Sequence, residues 1–160
     1  MSSDLLKRYL FRKVDYDADD LLQNLVKSKC ENIDNEWCPG IVDCTDLYGS
    51  RWSEEVIENY CREKSIAFDR YIEEDLECPA RYLMYRPGEN PIDIIRDVDC
   101  IDKRPYVFCD NITILLSDIS RTESEKLERI AAEVQKVDFP CPRIHDYRSF
   151  RELEKGKELT

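Results

Sequence analysis

Residues 105–119 read Pro-Tyr-Val-Phe-Cys-Asp-Asn-Ile-Thr-Ile-Leu-Leu-Ser-Asp-Ile. Two apolar runs, Tyr106 to Cys109 and Ile112 to Leu116, flank Asp110-Asn111. β-Branched and aromatic residues suit a pleated, half-buried surface, and a two-residue polar link suits a tight turn. The stretch therefore predicts a β-hairpin, with one long strand through Asp110 and Asn111 as the alternative. Directly after it, Leu127, Ile130, Ala131, Val134 and Val137 recur at helical spacing, behind a Thr122/Glu125 capping box. Glu125 and Arg129 stand four apart on the face expected to stay wet.

The same reading extends outward from this pair. Residues 18–28 predict a helix with Asp17 as N-cap, Asp19 and Asp20 at its positive end, and Leu21, Leu22, Leu25 and Val26 as its stripe. Ser53 is placed to cap a second helix over 54–64, whose stripe is Val56, Ile57, Tyr60 and Cys61. Residues 80–86 predict a strand ended by Pro87-Gly88, with its two arginines outward. Residues 65–72 and 92–95 fit short strands or turns. Residues 4–14 fit either a helix or a strand over 9–14. Residues 29–52 are rich in turn formers and predict a long loop with a short Ile41-Val42 strand inside. Ser149 and Glu152 predict a last short helix over 147–155, with Tyr147, Phe150 and Leu153 to dock it.

Strands and helices are partly segregated along the chain, so the expected fold class is α+β. The reading is a single domain, a small antiparallel sheet packed with four to five helices. Residues 1–139 form an acidic body, and residues 140–160 a C-terminal extension. At 160 residues such a body has enough core to fold without metal or disulfides.

The net charge is −11, and residues 21–139 carry all of it. Such a field repels phosphate backbones and anionic lipid and attracts basic partners. The longest apolar runs are far short of the roughly 20 residues that span a bilayer. The N-terminus lacks the unbroken apolar stretch of a signal peptide, so a cytoplasmic location is expected.

Residue inventory narrows the chemistry. Four glycines, all isolated, give no phosphate-cradling loop. The eight cysteines contain no C-x-x-C pair, and the one histidine is His145. A structural zinc site is therefore not expected, and the cysteines read as small hydrophobes. Cys141 and His145 lie close in sequence, but a catalytic dyad is a matter of geometry. Asp15, Asp17 and Asp19 resemble the start of a calcium loop, yet its sixth and twelfth positions are Asp20 and Val26. No lysine has an acid two residues before it, so the strand arrangement of many metal nucleases is missing.

The expected function is a non-enzymatic acidic protein-binding module. An inhibitor, an immunity-type protein or a nucleic-acid mimic that docks a basic partner would have this profile. The expected binding residues are Trp37, Asp43, Asp46, Tyr48 and Trp52, aromatic anchors flanked by acids. No cofactor, no direct nucleic-acid contact and no membrane contact are expected. Two other readings stand beside it. One is a small Mg²⁺-dependent carboxylate enzyme around Asp93, Asp97, Asp99 and Asp102. The other is a structural or assembly subunit that forms a homo-oligomer.

Overall fold

A computed structural model describes residues 6–36, 38–46, 56–73, 79–99, 105, 109–137 and 143–144. Its centre is a six-stranded, fully antiparallel sheet. In chain order the strands are β1 (Lys7–Arg12), β2 (Asn32–Asp34), β3 (Ile41–Asp46), β4 (Phe68–Ile72), β5 (Arg81–Arg86) and β6 (Ile92–Asp97). Their spatial order is β2-β3-β1-β4-β5-β6, so β1 lies inside the sheet and β2 and β6 form its edges. The helices are α1 (Lys13–Asp17), α2 (Asp20–Lys29), α3 (Val56–Lys64), α4 (Cys109–Ser117) and α5 (Glu123–Val134).

The period of two in β1 assigns the faces. Tyr9 and Phe11 point one way, and the register places them beside Cys44, Val42 and Phe68. Leu83 and Tyr85 of β5 join the same face. Over it lie Tyr16 of α1, Leu22 and Val26 of α2, and Ile57 and Cys61 of α3, all buried. Phe11, Phe68, Leu22 and Val26 are completely covered, a contribution of about 1.5–3 kcal/mol for each side chain. The opposite face buries Tyr71, Tyr82 and Met84 with Ala80 and Val98. A separate cluster there joins Ile41 and Ala67 to Ile144.

Several expectations need correction. Of the two readings for residues 4–14 the strand is the one seen, over Lys7–Arg12 and not 9–14, because β3 and β4 flank it on both sides. The N-cap of α2 is Asp19, whose carboxylate accepts the Leu22 N–H at 2.8 Å. Asp17 instead ends α1 and pairs with Lys13. The supposed loop 29–52 contains two strands, since β2 and β3 form a hairpin. Arg86 does not point outward: it is buried and paired with Asp69 at 2.7 Å.

The largest correction concerns residues 109–117, which form α4 and not a hairpin arm. Ile112, Leu115 and Leu116 also satisfy helical spacing, and Asp110 lies favourably in the first turn. β-Propensity is a statement about packing against neighbouring strands, and α4 packs against α5. The Thr122/Glu125 capping box is present in full. The stripe of α5 is nonetheless not buried. The expected cap Ser53, Tyr106–Phe108 and the expected helix 147–155 lie outside the described residues.

Candidate functional site

Of the expected binding residues, Asp43 and Asp46 lie in β3, one arm of the β2–β3 hairpin. Its loop is shaped by local polar chemistry. Asp34 accepts the Glu36 N–H at 2.8 Å, and the Ile41 N–H reaches the Cys38 carbonyl at 3.1 Å. Gly40 has φ +79°, and a Cβ there would meet no atom within 4 Å. The constraint on this position is therefore backbone conformation, not space. The Gly40 carbonyl accepts the Lys13 N–H at 2.8 Å, which ties the hairpin to the start of α1.

Asp43 lies in β3 on the face away from the helices, beside Leu10 in register. It is 7% exposed. The Arg8 guanidinium grips both of its oxygens, with Nε at 2.9 and 2.7 Å and Nη2 on Oδ2. That carboxylate raises the Arg8 pKa above its usual value. Asp43 thus has an internal partner within the sheet. Asp46 ends β3, opposite Lys7 in register. Trp37, Tyr48 and Trp52 lie outside the described residues.

Several carboxylates elsewhere are answered by bases. Asp15 pairs with Arg12, and Asp118 with Arg121. Glu123 pairs with Lys126, and Glu133 with Lys136. Glu58 of α3 is buried against Arg70 of β4. The carboxylates considered for Mg²⁺ are similar: Asp93 pairs with Arg62 at 2.6 Å and Asp97 with Arg81 at 3.3 Å. Asp102 lies outside the described residues. Among the described residues no three His, Cys, Asp or Glu side chains gather in a way that could hold a metal ion.

The β2 edge groups three exposed acids, Glu31, Asp34 and Glu36. Asn32, Ile33 and Asp34 are exposed, as are Glu31 and Glu36 on either side. Glu31 and Glu36 make no ion pair among the described residues. The backbone holds this edge in place, since the Glu31 N–H bonds the Thr45 carbonyl at 3.0 Å. Sequence reading had passed over Glu31 and Glu36. The sign that marks them is their position, one residue before the strand and one before Trp37.

These features define an α+β protein with an antiparallel sheet and an acidic, open edge. Among the described residues, no helix is long and apolar enough to cross a membrane. No protein-family model, no curated protein and no solved structure matches the chain.

Proposed function

We propose that this chain is a non-enzymatic acidic binding module that docks a basic protein partner at the β2–β3 end of the sheet. The observation that carries the reading is the exposed β2 edge, flanked by Glu31 and Glu36. Carboxylates within the sheet are committed to internal arginines, as with Asp43 and Arg8. The charge on Glu31 and Glu36 is what a partner would meet. The excess of negative charge over the whole chain speeds encounter with a cationic surface. In this reading Trp37, Tyr48 and Trp52 are the aromatic anchors, Asp46 adds charge beside them, and Asp43 holds the strand from within.

The test is affinity capture from the native cell at low and at raised salt, with the chain and with a Glu31→Lys, Glu36→Lys variant as baits. The expected result is a basic protein retained by the unaltered chain at low salt, released as salt rises and lost by the variant. Equal capture by both baits, or capture indifferent to salt, defeats the proposal.

A further inference from the structure

The two-helix unit α4–α5 is apolar where it meets water. α4 has one charged residue, Asp110, in nine, and isoleucines and leucines around most of its circumference. A helix of that kind is ordinarily a buried one. Here Ile114, Leu116, Leu127 and Val134 are each more than half exposed, and Ile119 in the connecting turn is 98% exposed.

The exposed side chains fall into an order. α4 and α5 touch each other and are joined by residues 118–122, so they run antiparallel. Ile112 and Leu115 of α4, with Lys126, Ile130 and Glu133 of α5, are partly covered and mark the seam. With about 100° of turn per residue, Leu116 lies on one flank of that seam. Antiparallel packing brings Leu127, Ala131 and Val134 to the same flank. Ile114 lies about 160° round α4 from Leu116, on the opposite flank. On the leucine flank the one charge is Glu123, at its end.

We propose that this flank pairs with the same flank of a second copy of the chain, giving a two-fold arrangement of four helices. Leu116, Ile119, Leu127 and Val134 are 57, 98, 67 and 56% exposed, on the order of 500 Å² per chain, so full self-pairing removes at most about 1,000 Å², the floor for a specific interface. A two-fold interface must be its own complement. A flank almost without charge meets that condition, because its one acid, Glu123, stands at its end and is answered by Lys126. A basic partner would need carboxylates here, and an anionic lipid surface would need a lysine or arginine rim. The flank offers one carboxylate, Glu123 at its end, and no such rim. The pairing leaves the β2 edge untouched and does not depend on the function proposed for it.

Sedimentation velocity across two decades of concentration tests the proposal. The expected result is a species of twice the chain mass that dissociates on dilution. Leu116→Glu combined with Leu127→Glu yields a monomer at every concentration. Val134→Glu, at the far end of the flank, yields the same and guards against a folding defect in the double variant. Ile114→Glu, as exposed as Leu127 at 67% but on the other flank, keeps the dimer. A monomeric unaltered chain throughout, or an Ile114→Glu variant that dissociates as fully as the leucine variants, overturns it.

Discussion

Asp69 shows how much one buried carboxylate can organise. It is 1% exposed and sits within 2.7 Å of Arg86, accepts the Tyr82 hydroxyl at 2.8 Å and accepts the Ile144 N–H at 2.9 Å. Removing one charge of a buried pair leaves the other unanswered, at a cost of about 3–5 kcal/mol. Asp69→Asn should cost that much in urea-unfolding free energy, whereas Asp93→Asn, which loses an exposed pair, should cost about 0–1 kcal/mol. Equal effects of the two would contradict the burial described. Thiols supply a second residue-level prediction. Burial pushes the Cys61 thiol up to about 12 and Cys44 higher still, and Cys30 is also buried. Since the thiolate is the reactive form, a maleimide applied to the native protein should label the partly exposed Cys38 well before Cys44 or Cys61. Peptide mass spectrometry reads this directly, and early labelling of Cys61 would be the opposing result.

At the scale of elements, α5 depends on its ends more than on its faces, because none of its residues is buried. Its capping box is formed by Thr122 and Glu125. Thr122→Ala should therefore cost about 1 kcal/mol locally, seen as faster amide exchange over 123–134 with the sheet unaffected. Hydrogen bonds from Thr122 hold the Glu125 carboxyl below its usual pKa. A lowered value in the fold means that the stabilisation is present above the ordinary carboxylate range and is lost as pH falls through the folded value. The same exchange experiment in acid should thus resemble the alanine variant at neutral pH. Exchange over α5 that ignores both changes would show that the box contributes nothing.

Elements were legible where the period was unambiguous. α2, α3, β5 and α5 follow from their apolar spacing and turn residues. β1 was not legible, because Leu5, Leu6, Tyr9 and Leu10 fit a helical face while Tyr9 and Phe11 also alternate. Long-range pairing with β3 and β4 decided it. α4 was misread because Ile112, Thr113 and Ile114 favour strands by composition, while its contact with α5 is not visible in the local pattern. Asp43 and Asp46 drew notice as acids near aromatics, but the hairpin that carries Asp43 read as a loop. The partner of Asp43 was not found, since Arg8 lies 35 residues away and no local pattern connects them.

For the molecule as a whole, alkaline pH should be the weak side. Burial raises Tyr16 to about 12 and raises Tyr82 and Cys44 further, with Asp69 adding to the effect at Tyr82. An unfolded chain ionises its thiols near about 8.5 and its phenols near about 10. These groups stay protonated longer in the fold, so their contribution is complete below the unfolded values and declines as pH rises through the folded ones. Urea midpoints should fall from pH 7 to pH 9 and more steeply beyond pH 10. A midpoint that holds steady across that range would contradict the burial of these groups.

The hydrogen bond from Ile144 to Asp69 closes a separation of 75 residues. During synthesis, Asp69 and Arg86 leave the ribosome long before the segment that covers them. Until then Asp69 lacks its Ile144 partner, and Ile41 and Ala67 lack the side chain that completes their cluster. A chain cut short before Ile144 should therefore be more readily cleaved by protease at β4 than the full chain.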